Sequence, residues 1–279
     1  MNKLFLNYDQ IASEYNQRYP AQQPTQRGLA LLDLAKQVKV GNILEVGSGT
    51  GFWLNLLHQV TDKLYGLDYS AGMIEQARKQ PAPLKLTRGS AVRLPYQDNS
   101  FDLVYCLDAI HHFVDHHAFI TEAFRVLKPG GALSVIGFDP HEETTNWYIY
   151  DYFENSYDND LRRYPSGNSV LHWLKADGFE NVSSQTAEHI MNVHVGSSVL
   201  RDPYLKQNAT SQLALLSTDV YEAGLQKIRS AIVEAEKHQE RITFRSDFFV
   251  KMYLGYKPVT MDENDQSRDY VNMGRSTSA

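Results

Sequence analysis

Between Asn42 and Phe138 short apolar runs alternate with stretches of helical period, and this alternation limits the possible folds more than any other feature. The runs are Asn42 to Val46, Lys63 to Asp68, Leu84 to Arg88, Phe101 to Cys106 and Ala132 to Phe138, each of strand length. Amphipathic segments at Phe52 to Val60, Ala71 to about Lys79 and His116 to Leu127 lie among them, with apolar residues three or four apart. The last should stop at Lys128-Pro129-Gly130-Gly131, where proline and glycine cannot continue a helix. Strands alternating with helices predict an α/β fold, doubly wound, with helices on both faces of a parallel sheet. Ligands of such sheets bind beyond the carboxyl ends of the strands, so the loops after Val46, Leu67, Arg88 and Cys106 form the candidate site.

The flanks are less regular. Two helices are expected around Pro20 and Pro24, the second with Leu29, Leu32 and Ala35 on one face. After His141 the aromatic, acidic stretch TNWYIYDYFENSYDND reads as a helix, and NSVLHWLKADGFENV as an amphipathic helix that ends at Gly178 and leads into a strand. The stretch from Gly196 to Glu240 is helical in period, and Ile242 to Tyr256, rich in β-branched and aromatic residues, suits a final strand. From Lys257 the chain is polar, and a mobile tail over 257–279 is expected.

Charge and cysteine content narrow the function classes. Lys and Arg number 27 against 33 Asp and Glu, a net charge of −6, the wrong sign for gripping phosphate backbones, so no nucleic-acid partner is expected. No stretch approaches the roughly 18 apolar residues of a membrane span, so no membrane partner is expected either. A lone cysteine, Cys106, and an N-terminus without an apolar leader point to a reducing, cytoplasmic setting. Within an apolar strand Cys106 reads as a small buried hydrophobe.

The strongest chemical signal is Glu45-Val46-Gly47-Ser48-Gly49-Thr50-Gly51, a glycine-rich turn between a strand and a helix. Glycines permit positive φ and close approach of backbone to ligand, and the helix start offers unpaired N–H groups. The spacing G-x-G-x-G differs from the G-x-G-x-x-G of dinucleotide binders. Asp68 ends the next strand about 20 positions on, where a carboxylate can accept from both hydroxyls of a ribose. Its alternative role is to cap the helix that begins near Ala71.

LEVGSGTGFW, LYGLDYS, GSAVRLPYQDNSFDLVYCLDAIHHF and EAFRVLKPGGALSVIGF, in this order over about Tyr8 to Phe138, resemble the motif series of class I S-adenosylmethionine-dependent methyltransferases. The nearest likeness is to the branch of ubiquinone and menaquinone C-methyltransferases. The resemblance implies a Rossmann-like fold with a seven-stranded, mostly parallel sheet and a helical cap insertion, and S-adenosyl-L-methionine as cofactor. It implies that Gly47, Ser48, Gly49 and Gly51, after Glu45, wrap the methionine portion, and that Asp68 holds the ribose. Tyr69 and Met73 would flank the adenine. Ser90 stands, beside Ala91, where the family often has an acidic residue for the adenine amino group. Leu107 and Asp108 would lie near the amino acid portion, and Tyr15 resembles an aromatic that closes over the cofactor.

His111 and His112 follow the fourth strand, where the transferred methyl should point. A histidine can take a proton from a hydroxyl nucleophile. His112 is the favoured base, with His111 as its control because adjacent loop residues seldom point the same way, and packing within the loop is the alternative. The aromatics Trp147, Tyr148, Tyr150, Tyr152, Phe153 and Tyr157 would roof a pocket for a small aromatic or apolar substrate or pack on the sheet, and Arg162-Arg163-Tyr164 would pair with a substrate anion or face solvent. One domain over 1–256 is expected, with an N-terminal helical lid (1–40), an aromatic cap (141–168) and a helical insertion (196–240) over the site. No metal site is expected. The rival classes are a nicotinamide-dependent oxidoreductase and a cofactor-binding regulator without turnover.

Overall fold

A computed structural model describes residues 6, 8–10, 12 and 25–259 of the chain. In chain order the regular elements begin with α1 (Gln26–Gln37), β1 (Ile43–Val46), α2 (Phe52–Leu57), β2 (Leu64–Asp68), α3 (Ala71–Ala77) and β3 (Lys85–Arg88). Next come β4 (Phe101–Leu107), α4 (His116–Val126), β5 (Leu127–Phe138), β6 (Asn146–Trp147), α5 (Tyr148–Tyr152), α6 (Ser156–Arg163) and α7 (Gly167–Ala176). The chain closes with β7 (Glu180–Val195), α8 (Ser211–Ala214), α9 (Thr218–Lys237) and β8 (Thr243–Tyr256).

The sheet runs β3-β2-β1-β4-β5-β8, with β7 and the two-residue β6 also paired to β8. Strands β1 to β5 are parallel, and β8 is antiparallel to β5 and β7. The order reverses at β1, which lies between β2 and β4, so the crevice of the switch point opens above Val46 and Leu107. β1 is buried along its whole length and β4 almost so, as expected of parallel strands covered on both faces. On one face Phe119, Ile120, Ala123 and Val126 of α4 join Val170 and Leu174 of α7. On the other, Leu31, Leu32, Leu34 and Ala35 of α1 meet Trp53, Leu54 and Leu57 of α2.

Several expectations shift in detail. The eighth strand is β6, too short to carry a period of its own. Lys128 to Gly131 do not separate helix from strand but belong to β5, which starts at Leu127 and bulges so that Leu103 pairs with Ala132. Gly130, at φ 79°, allows that bulge. Leu29 of α1 is exposed, the buried face having turned toward Leu31 and Leu34. The aromatic stretch is not one helix, because Asn155 adopts φ 63° and separates α5 from α6. Of the first N-terminal helix only a 3-10 turn at Tyr8–Gln10 and Ala12 are described, and Tyr15 and the tail from 260 on lie outside the described residues.

The cap has its own core. Trp147, Tyr148, Ile149 and Phe153 pack against Val199, Leu205, Leu213, Leu216, Ile228 and Ile232, together with Phe244 from the far end of β8. The aromatic stretch and the 196–240 insertion, distant in sequence, therefore form one layer. Gly224, Ile228 and Ile232 are the buried stripe of α9, four residues apart. A Cβ on Gly224 would come 2.3 Å from Phe153 Cδ1, so the helix needs glycine there to approach α5. This layer stands on the long β7–β8 ribbon, whose register runs from Glu180 opposite Tyr256 to Val195 opposite Thr243.

Candidate active site

β1 delivers the chain into a turn held at its start by β2. The N–H groups of Gly47 and Ser48 both donate to the Leu67 carbonyl, at 2.8 and 3.0 Å. Gly47 sits at φ 77°, and a Cβ there would come 2.5 Å from that of Ala109, so only glycine fits. Gly49, at φ 51°, donates its N–H to Asp68 Oδ2 at 2.7 Å. Asp68 Oδ1 accepts from Ser70 N–H at 2.8 Å. The cap of α3 is Ser70, whose hydroxyl oxygen accepts from Met73 N–H at 3.1 Å, so the capping role considered for Asp68 belongs to its neighbour. Burial raises the Asp68 carboxyl above the usual carboxylate range, against the pull of these N–H groups.

Above this turn lies a cavity of about 510 Å³, walled by Glu45, Gly47, Ser48, Gly49, Asp68, Tyr69, Met73, Ser90, Ala91 and Leu107. Gly51 is the exception among the glycines: it caps α2 at φ 72°, and a Cβ there would press on Leu84 Cδ1 at 2.8 Å, away from the cavity. Glu45 is 1% exposed, and burial pushes its carboxyl well up. Tyr69, 76% exposed, stands at the mouth.

The wall suits a nucleoside-bearing ligand in two respects. The Ser48 hydroxyl is buried with no hydrogen-bond partner among the described residues. Asp68, each oxygen having accepted one N–H, keeps further acceptor directions for a diol.

Three residues of the N-terminal segment also reach the cavity of about 510 Å³. Leu6, Tyr8 and Asp9 belong to its wall. Asp9 Oδ1 accepts from the N–H of Gly72 at 2.8 Å and from the Ser70 hydroxyl, and the Ser70 bond holds its carboxyl below the usual range.

A second cavity, of about 160 Å³, lies between the sheet and the cap. Phe138, Trp147, Tyr164 and Phe248 give it aromatic walls, while Asn192, Thr210, Ser211, Gln212 and Ser246 add polar ones. Tyr8, Trp53, Asp108 and His112 line both cavities and mark where they meet. His112 Nε2 is hydrogen-bonded to the Tyr8 hydroxyl. Asp108, at φ 51°, is paired at 2.6 Å with Arg27 of α1, which also pairs with Glu188 of β7.

Both histidines line the second cavity, with ring centroids 3.9 Å apart, contrary to the expectation that neighbours diverge. They belong to a single 3-10 turn, Ile110–His112. His111 is buried, stacked on Tyr164 at 4.0 Å, with Nε2 3.2 Å from the Tyr164 hydroxyl.

Of the aromatic run only Trp147 reaches this cavity, and Tyr148 and Phe153 fill the cap core. Arg163 is buried against Asp160, so it serves the cap and not the solvent. Cys106 is fully buried, and burial pushes its thiol well up, away from nucleophilic use. Among the described residues no group of three or more His, Cys, Asp or Glu is placed to hold a metal ion. Among them, too, no helix is long and apolar enough to cross a membrane. The wall residues not singled out in the sequence include Tyr8, Asp9, Arg27 and Trp53. Tyr8 lies in the aromatic segment that also holds Tyr15, but Arg27 carries no local signal.

Residues 44–135 match the family described as a methyltransferase domain. The chain is 33% identical over 116 residues to a Mycolicibacterium smegmatis protein described as a probable S-adenosylmethionine-dependent methyltransferase, covering 40% of this chain and 45% of that one. It is 29% identical over 171 residues to demethylmenaquinone methyltransferase of Lactiplantibacillus plantarum, covering 52% and 72%. The chain thus spans less than half the length of the first of these relatives. Among solved structures it is similar in fold to phosphoethanolamine N-methyltransferase 2 of Haemonchus contortus in complex with S-adenosyl-L-methionine, with a TM-score of 0.58, 17% identity, and 90% and 57% of the two chains covered.

Proposed function

We propose that this chain, a member of the class I S-adenosylmethionine-dependent methyltransferases, moves a methyl group from that cofactor to a small aromatic or apolar metabolite in the cytoplasm. The observation that carries this reading is the pair of adjoining cavities, one over the glycine turn and Asp68, the other under the cap, with His112 at their junction. When bound, S-adenosylmethionine supplies a methyl group activated on a sulfonium. Asp68 would accept from the ribose hydroxyls, Ser48 and the backbone from Gly47 to Gly49 would hold the methionine portion, and Met73, Ser90 and Ala91 would bound the adenine. The protein's remaining task is alignment and exclusion of water. The N-terminal segment performs part of it, covering the cofactor cavity through Tyr8 and Asp9. The cap performs the rest. His112 would take the proton of a hydroxyl acceptor. The glycine spacing and the junction histidine leave a hydride-transfer role without support. Incubation with S-adenosylmethionine and a panel of small hydroxylated aromatics tests the proposal by mass spectrometry. A product heavier by one methylene supports it, and cofactor binding without any turnover would favour the regulator.

Asp68→Ala should cost roughly 1–3 kcal/mol of affinity for S-adenosylhomocysteine. The pH dependence has a defined sign. A diol donating to the carboxylate lowers a pKa that burial has raised, so the bound form holds fewer protons. Affinity should then be full above the raised pKa and weaken as pH falls through it. Calorimetry at two pH values checks this, and an unchanged affinity in folded Asp68→Ala would leave the residue only its hydrogen bonds to Gly49 and Ser70.

The stretch 196–240 should resist limited proteolysis when cofactor and acceptor are both bound, because Thr210, Ser211 and Gln212 form part of the acceptor wall. Identical cleavage with and without ligands would separate the cap from catalysis.

A further inference from the structure

The floor of the second cavity is one face of the β7–β8 ribbon, and the strand register orders what an acceptor meets along it. Ile190 and Asn192 of β7 and Ser246, Phe248 and Val250 of β8 all line the cavity, and their spacing of two puts them on the same face. Glu188 lies opposite Val250, Ile190 opposite Phe248 and Asn192 opposite Ser246. The inner end is the junction with the cofactor cavity. Leu107 pairs with Ile136 and Gly137 with Lys251, so Asp108 stands level with Lys251, one residue from Val250, and Arg27 ties it to Glu188. Next outward comes an apolar rung, Ile190 and Phe248, with the Phe138 and Trp147 rings 4.8 and 5.4 Å from that of Phe248. The rung after it is polar. Within the described residues no side-chain hydrogen bond engages the Asn192 amide or the Ser246 hydroxyl. One rung further, Phe244 belongs to the cap core, and the cavity has ended.

We propose that Asn192 and Ser246 set acceptor specificity by holding a neutral hydroxyl or amide at the end of the acceptor remote from the methylated atom. Both side chains can donate and accept, which suits such a group. Charge excludes an anion there. Asp202, 3.2 Å from His194 Nε2 and bonded to the Tyr148 hydroxyl and the Tyr204 N–H, brings a carboxylate to this end. Arg27, the one lysine or arginine among the described lining residues, stands at the other end. From the Val250 rung to the Ser246 rung is four residues, or about 13 Å. A hydrogen bond of about 3 Å at each end leaves about 7 Å between the acceptor's polar atoms, the span of two fused rings and not of one. The name acceptor rests on the methyl-transfer reading, whereas recognition at the polar rung does not.

The test is calorimetry of the full chain saturated with S-adenosylhomocysteine and titrated with 2,6-dihydroxynaphthalene or 2-hydroxynaphthalene. The diol should bind about tenfold more tightly, the effect of one further hydrogen-bonded group. 6-Hydroxy-2-naphthoate, which carries a carboxylate at the remote end, should bind no better than 2-hydroxynaphthalene. Asn192→Val should bring the diol down to the affinity of 2-hydroxynaphthalene, and Ser246→Ala part of the way, with affinity for S-adenosylhomocysteine retained as the measure of folding. Equal binding of diol and mono-ol by the wild type overturns the proposal whether or not a variant folds. So does binding of neither, tighter binding of the naphthoate than of the diol, or a full preference kept in both folded variants. The expected preference in a protein that methylates neither compound upholds the polar rung and counts against methyl transfer alone.

Discussion

His112→Ala lowers turnover by about 10²–10⁴-fold, the usual range of general-base assistance, while S-adenosylmethionine affinity stays close to that of the wild type. The expectation follows from where the ring sits. It lines both cavities, with Nε2 at the Tyr8 hydroxyl, and its neighbour His111 is stacked on Tyr164. The loss applies when the acceptor is a hydroxyl, whose proton must leave as the methyl arrives. The wild-type rate should then fall as the medium becomes acidic enough to protonate histidine, because a protonated ring can no longer accept. Single-turnover rates with saturating cofactor separate this from a binding defect. Wild-type turnover in His112→Ala on the true acceptor would remove the base role, and so would a rate independent of pH across the histidine range.

How much of this site could be read beforehand depends on the distance over which each contact acts. The parallel strands were legible because burial on both faces demands unbroken apolar runs such as Ile43 to Val46. The glycine turn and Asp68 were legible because a strand end, a tight turn and a helix start are local events. Tyr8 was not, because its partner His112 lies 104 residues away and only the folded chain brings them together. Arg27 escaped notice for the same reason: an arginine in the first turn of α1 looks like any solvated cation until Asp108 and Glu188 surround it.

The cap illustrates a different limit. Its two pieces each carry apolar residues in helical period, but period does not say what an element packs against. The burial of Trp147, Tyr148 and Phe153 was foreseeable as one of two outcomes, while their partners Leu213, Ile228 and Ile232 belong to another segment. Polar residues misled more than apolar ones. Arg163 in a charged stretch, SYDNDLRR, has the composition of a surface helix, and its burial depends on a single aspartate three residues earlier.

That dependence makes Asp160→Ala the most damaging substitution expected for stability, at about 3–5 kcal/mol. The side chain of Asp160 is 0% exposed and that of Arg163 is 5% exposed. Arg163 Nε and Nη1 already lack hydrogen-bond partners among the described residues. Removing the carboxylate leaves a guanidinium buried with, among the described residues, only Ser211 to accept from it, and it also strips an acceptor from Tyr150 and Gln212. Most of the cost is therefore the stranded charge and not the lost attraction. The double variant Asp160→Leu/Arg163→Met should recover most of the stability, since two apolar side chains of similar volume carry no desolvation penalty. Urea midpoints for the two single variants and the double variant give the coupling directly. A coupling below about 1 kcal/mol would mean that the pair is solvated. In that case the orientation of Gln212 would lose its anchor.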